Sequence, residues 1–194
     1  MENLNQLYEL SIYNSPIVNM TERLGTLSNL RYMYLQGCSL AFLPNLSGLY
    51  QLSYISVYQN RLSKLDGLNA VYNLQLSNNL FTDIPKLKTP SSLQYLNMDH
   101  NPLKNMLAIT SHTNLYYLSL GNTTLSSIPA TIDKLQKLYS LYLSDNQLFY
   151  LPTNILNIPA LRYLYIQNNP FTSDDILTIK RQFNATRSNT TIYF

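Results

Sequence analysis

A chain of 194 residues with 45% apolar side chains is long enough to bury a sizeable core as one domain. Only 12% of its residues are charged, and its net charge of +3 comes from basic residues scattered singly apart from the pair Lys180 and Arg181, so no electrostatic footprint for nucleic acid exists. The single cysteine, Cys38, excludes an intramolecular disulfide, a cysteine-based zinc site and a CxxC redox motif together.

The chain opens "MENLNQLYEL", with no basic segment followed by an apolar run, so no signal peptide is expected there. No apolar stretch approaches the ~18 residues needed to cross a bilayer, which argues against membrane insertion by this chain. From Leu4 onward the pattern LxxLxLxxNxL can be laid down eight times, as in "LRYMYLQGCSL" and "LRYLYIQNNPF". Its central position falls on Leu10, Met33, Ile55, Leu74, Leu96, Leu118, Leu141 and Leu164, at spacings of 23, 22, 19, 22, 22, 23 and 23 residues. All eight are apolar, as are the residues two places on, and this alternation predicts one short half-buried strand per repeat. The 19-residue unit from Asn60 to Asn79 has lost one step and should be shorter on the side opposite its strand.

The Asn position of the pattern holds Ser15, Cys38, Asn60, Asn79, Asn101, Thr123, Asn146 and Asn169. A side chain buried where a strand bends into a loop must satisfy backbone groups that no strand partner reaches, and Asn carries both donor and acceptor. Cys38 is then a buried stand-in whose thiol stays protonated rather than a reactive group. After Phe171 the repeat stops. Ser173 reads as an N-cap, Asp174 and Asp175 favour a helix start, and Ile176, Ile179 and Phe183 fall on one helical face. "TTIYF" at the end is placed to add a terminal strand. At the other end Leu4 and Leu7 would face solvent, so the first repeat reads as open: the cut edge of something larger, or a contact surface.

With these motifs in place the chain resembles the leucine-rich repeat family from about Leu4 to Phe171. Units such as "NRLSKLDGL" are similar to a 22-residue intracellular type, whereas "SSIPATIDKL" and "FYLPTNILNI" are similar to the LPxxIxxL type. The resemblance implies an α/β fold: a right-handed solenoid, or horseshoe, with a concave parallel β-sheet and a C-terminal capping helix. It divides the chain into about eight repeats over residues 1–171 and a cap over residues 172–194 of the same domain.

Period-two alternation gives each strand three outward positions, 24 in all, and ten of them are Tyr: Tyr13, Tyr32, Tyr34, Tyr54, Tyr58, Tyr95, Tyr117, Tyr142, Tyr163 and Tyr165. Six more are Ser, and only Glu9 and Asp99 are charged. Strand preference alone would also bring Val, Ile, Thr and Phe outward, and none is there. Tyr set among Ser, Asn, Gln and Gly is the palette of antibody-like binding surfaces, large contact area at low entropic cost beside adaptable polar groups. Those ten tyrosines and Asp99 are the candidate ligand-binding residues. They fall in two clusters, on strands two and three and on strands five to eight, separated by a strand carrying Asn73, Gln75 and Ser77.

Residues able to carry chemistry are few. His100 follows Asp99 at a strand end with no third metal ligand in evident register, and His112 takes a place held by Leu49 or Leu135 in sister repeats, as a partly buried hydrogen-bonded side chain would. No phosphate-binding glycine loop, nucleophile elbow or paired-carboxylate motif occurs, so a non-enzymatic module with no cofactor and no metal is expected. Five N-x-S/T sequons, at Asn19, Asn45, Asn122, Asn184 and Asn189, are close to the about four expected by chance and do not locate the chain. Low charge with much Tyr and Asn leans toward a cell-surface or extracellular setting, against the missing cysteine-stapled caps. The expected partner is a protein held on the tyrosine-rich face. A glycan and an intracellular scaffold or enzyme-regulatory role are the alternatives.

Overall fold

The computed structural model describes residues 4–186 and 189–194. Nine strands, β1 (Glu9–Tyr13), β2 (Tyr32–Gln36), β3 (Tyr54–Ser56), β4 (Asn73–Gln75), β5 (Tyr95–Asn97), β6 (Tyr117–Ser119), β7 (Ser140–Tyr142), β8 (Tyr163–Tyr165) and β9 (Thr191–Tyr193), form one parallel sheet in chain order. The register follows the repeat: Leu10 pairs Met33, Met33 pairs Ile55, Ile55 pairs Leu74, and so on to Leu164 with Ile192. Identical register through every step means that each repeat stacks its leucines directly on those of the last. Met33, Leu35, Ile55, Leu74, Leu118 and Leu164 are completely buried within one continuous core. Leu10 and Ile12 are only partly covered, because β1 has a strand on one side alone.

Short 3-10 turns lie opposite the sheet at Glu22–Thr26, Pro90–Ser92, Leu107–Ser111, Ala130–Lys134 and Thr153–Asn157. The 19-residue unit between β3 and β4 has no such turn. The full-length unit between β2 and β3 lacks one too, so repeat length does not by itself fix this side of the solenoid.

The ladder residues carry the turns out of the strands. The Asn146 carboxamide donates to the carbonyls of Leu120 and Leu143 (2.7 and 3.1 Å) and accepts from the amides of Thr123 and Leu125 (3.1 and 3.0 Å). Asn60 does the same between Leu35, Val57, Cys38 and Leu40. Where the next ladder side chain is too short to reach back, the orphaned amide folds onto its own chain. Ile17 N–H turns to Ser15 O because Cys38 follows, and Leu103 N–H to Asn101 O because Thr123 follows. The residue just before each ladder position is left-handed: Asn14, Gly37, Gln59, Asn78, His100, Asn122, Asp145 and Asn168 have φ between 48° and 62°. Asn, Asp, His and Gly tolerate that conformation best, which accounts for His100 at this place.

The C-terminal helix, α1 (Ser173–Thr186), lays Ile179 and Phe183 on the core, with Ile176 half-buried beside them. Its cap is one residue earlier than the sequence suggests. Thr172, not Ser173, closes the first turn: its hydroxyl accepts from Asp175 N–H at 3.2 Å, while Asp175 Oδ2 accepts from Thr172 N–H at 2.8 Å. A Thr-x-x-acid box satisfies two free donors at once, which a lone Ser173 could not do. "TTIYF" supplies β9, paired in parallel with β8.

Candidate functional site

The common register sorts the outward residues into rows running across the strands. The first row reads Glu9, Tyr32, Tyr54, Asn73, Tyr95, Tyr117, Ser140, Tyr163, Thr191, and the second Ser11, Tyr34, Ser56, Gln75, Asn97, Ser119, Tyr142, Tyr165, Tyr193. A third row beyond the strand ends carries Tyr13, Tyr58 and Asp99 among Gln36, Ser77, Gly121, Ser144 and Gln167. Eight inter-strand steps make this face about 38 Å wide. All ten predicted tyrosines stand on it. Tyr13, on the edge strand, is exposed and the other nine are half-buried, as is Asp99.

The alternation argument misses a fourth row. Tyr8, Tyr72, Tyr116 and Tyr139 precede their strands by one residue, at positions whose parity points inward. The chain bends there: each of these carbonyls accepts two amides from the following repeat, as Tyr116 O does from Tyr139 and Ser140, and the ring turns out beside the first row. The signal was present as a recurrent Tyr at the first x of LxxL. With Tyr193 on β9, 15 of the 17 tyrosines belong to this one surface.

The rings touch in two networks. Tyr8, Tyr32, Tyr54, Tyr34 and Tyr13 form the first, at 5.2–6.5 Å between centroids and with tilted or edge-on planes. Arg31 sits over Tyr8 at 5.5 Å, closing that end with a cation–π contact. The second runs from Tyr72 through Tyr95 and then along two lines, Tyr116–Tyr139–Tyr163 and Tyr117–Tyr142–Tyr165–Tyr193. It ends in parallel stacks: Tyr142 on Tyr165 at 4.2 Å and 6°, and Tyr165 on Tyr193 at 4.3 Å and 2°. Tyr58 joins neither network, and the polar residues of β4 separate them. Asn73 and Gln75 are tied to one another at 2.7 Å.

Stacking has a chemical consequence. A ring face spent on its neighbour is not offered to a ligand, so the second network presents ring edges and hydroxyls. Burial pushes the Tyr54 and Tyr117 hydroxyls above the usual phenol range, and desolvation followed by the Tyr142 hydrogen bond does so for Tyr165. These phenols are therefore protonated donors at neutral pH. Ser56, Ser119 and Ser140 lie buried between the rings.

The remaining predicted positions are quieter. His112 is buried, its Nδ1 lies 3.0 Å from Pro90 O, and desolvation holds its pKa below the ordinary value, so it is neutral and structural. Cys38 is buried, its thiol directed at the carbonyls of Ile12 and Gln36. Among the described residues no group of three or more His, Cys, Asp or Glu is placed to hold a metal, and no helix is long and apolar enough to cross a membrane. The open first repeat leaves Leu4 61% exposed over a cavity of about 380 Å³ lined by Leu7, Leu10, Met20, Leu24 and Leu27.

Residues 113–171 match the profile of the leucine rich repeat family. Similar solved structures include chains named as leucine-rich repeat proteins. The fold is that of leucine-rich repeat proteins. Similar structures include the repeat domain of a Shigella effector (23% identity, TM-score 0.80), which aligns over 98% of this chain and 83% of that one. Human 5T4, or trophoblast glycoprotein, aligns with 20% identity and a TM-score of 0.73 over 98% of this chain and 77% of its own. Internalin InlF of Listeria monocytogenes gives 20% and 0.70, again over 98% of this chain, which spans 62% of the internalin's length. At these identities the likeness is one of fold. No curated protein matches the sequence.

Proposed function

We propose that this protein is a recognition module that binds a protein partner across its concave sheet, through Tyr13, Tyr32, Tyr34, Tyr54, Tyr58, Tyr95, Tyr117, Tyr142, Tyr163, Tyr165 and Asp99, with Tyr193 and the flanking row extending the face. The observation that carries this is the gathering of 15 of 17 tyrosines onto one surface otherwise made mostly of Ser, Asn, Gln and Gly. Large rings pre-ordered by their neighbours supply contact area without losing much rotamer freedom on binding, the property that makes Tyr a recurrent anchor of protein interfaces. The stacked half of the sheet favours a protein over a sugar, because saccharides bind aromatic side chains face-on and those faces are occupied. A surface with so little charge also predicts association that depends weakly on salt.

The test is affinity capture from the native source with the wild type and with a variant carrying Ser at Tyr32, Tyr34, Tyr54, Tyr58, Tyr163 and Tyr165, after showing that both melt alike. A protein retained by the wild type and lost by the variant supports the proposal. Equal capture by both refutes it. Loss of capture after enzymatic deglycosylation of the partner would transfer the role to a glycan.

A further inference from the structure

Asp99 differs from every other charged side chain in its surroundings. It is the sole charge in the interior of the concave face, since Glu9 lies exposed on the edge strand and is held by the Ser11 hydroxyl at 2.9 Å. Both hydrogen bonds that Asp99 receives on its side chain fall on one oxygen: the Ser119 hydroxyl and the Gly121 amide each donate to Oδ1 at 2.6 Å. Its own amide is anchored by Asn97 Oδ1 at 2.9 Å, so the carboxylate has little freedom to turn. Gly121 is part of this seat, because a Cβ there would approach Asp99 Oδ1 to 3.3 Å. Oδ2 receives nothing from the described residues, and their recorded ion pair, Lys64 with Asp66, lies elsewhere. No Lys or Arg occupies the three concave rows. Arg31 and Arg162 stand on the flank beside β2 and β8.

A half-buried carboxylate with one oxygen saturated and the other open carries an unbalanced charge, and a cation brought to it offsets that cost. The walls suit the same ligand. Tyr117 is close enough to feel the Asp99 charge, and Tyr95 and Tyr142 touch its ring at 6.4 and 5.1 Å. With their faces turned to one another, these rings offer a cation their hydroxyl oxygens as acceptors beside the carboxylate.

We infer that Asp99, Ser119, Gly121 and Tyr117 form a seat for a cationic group, an ammonium or guanidinium such as a Lys or Arg side chain of the bound protein. This rests on the concave-face reading and names one chemical feature its partner must have. The seat fixes where along the arc that partner sits, since nothing else on the face distinguishes one neutral polar position from another by charge.

The test needs no partner. Benzamidine, a planar aromatic cation, is titrated into the protein near neutral pH while backbone amides are followed by NMR, with neutral benzamide as the matched control. Saturable shifts of Gly121, Ser119 and Asp99 with benzamidine are expected, with benzamide at least about tenfold weaker. Asp99→Asn keeps an oxygen for Ser119 and Gly121 and should lose benzamidine by a similar factor while melting as the wild type does. Equal responses to the two probes, or undiminished binding by Asp99→Asn, would overturn the seat. Should Asp99→Asn fold poorly, the two-probe comparison on the wild type still decides. Capture separates this inference from the broader one. A partner lost by the tyrosine variant and kept by Asp99→Asn removes the seat alone, and a partner kept by both removes the concave face.

Discussion

Replacing Asn146 by Ala tests the physical account of the turns. The carboxamide oxygen accepts from the buried amides of Thr123 and Leu125, and its nitrogen donates to Leu120 O and Leu143 O. Alanine removes these four bonds, together with those to Ser144 O and from the Thr123 hydroxyl, from a site that is 7% exposed, and water has little room to replace them. The Thr123 hydroxyl still reaches Leu120 O at 2.8 Å, which spares that carbonyl. Two buried N–H groups remain without acceptors at about 1–3 kcal/mol each, so the expected loss is about 2–6 kcal/mol. The half-buried counterpart Ser15, whose side chain is bonded only to Tyr13 O at 3.1 Å, should cost no more than about 0.5 kcal/mol on the same change. Urea unfolding followed by circular dichroism gives both values, and hydrogen exchange reports whether Thr123 and Leu125 lose protection. A loss under about 1 kcal/mol for Asn146→Ala, or retained protection at those two amides, would refute the claim that the ladder holds these turns.

Three further outcomes follow from the same geometry. Thr123→Asn should give Leu103 N–H the carboxamide acceptor that its sister amides have, raising stability by about 1 kcal/mol and slowing exchange at Leu103. Gly37→Ala should destabilise by about 1–2 kcal/mol in urea unfolding, since φ there is +62° and the added Cβ would meet Asn14 Oδ1 at 2.5 Å. Burial depresses the His112 pKa below its ordinary 6.5, against the smaller raising effect of the Pro90 carbonyl. The unfolded chain then binds the proton first, so this contribution to stability is present above pH 6.5 and is lost as pH falls through the folded-state value. His112→Leu should flatten that slope in melting temperature against pH, and an unchanged slope would assign it elsewhere.

The repeat, its register and the ladder positions were all legible in the chain, because each depends on a local rule. Period-two alternation places Leu10 and Ile12 inward and Tyr13 outward whatever surrounds them, and a strand-to-loop bend needs an Asn-like side chain wherever it occurs. The same rule identified ten of the eleven tyrosines of the three concave rows, the eleventh being Tyr193 on the terminal strand beyond the repeats. It failed at Tyr8, Tyr72, Tyr116 and Tyr139, whose parity points inward, because the chain turns before each strand to let one carbonyl serve two amides of the next repeat. The helix cap moved from Ser173 to Thr172 for a comparable reason: two reciprocal bonds with Asp175 outweigh the single bond that Ser173 offered on its own.

What the sequence by itself determined is the stacking of similar units and the chemistry of the face they share. Each unit repeats the same local pattern, so nearest-neighbour packing follows from any one of them. Tertiary structure alone decided which rings meet. The parallel stacking of Tyr142, Tyr165 and Tyr193 joins residues from three segments, one of them brought in by the C-terminal strand, and leaves edges and hydroxyls outward instead of faces. It likewise decided that Asp99 spends one oxygen on Ser119 and Gly121 of the following repeat, 20 and 22 residues on, while its other oxygen has no hydrogen-bond partner among the described residues. Side-chain orientation across strands depends on the twist and spacing of the whole sheet, and no local pattern encodes it.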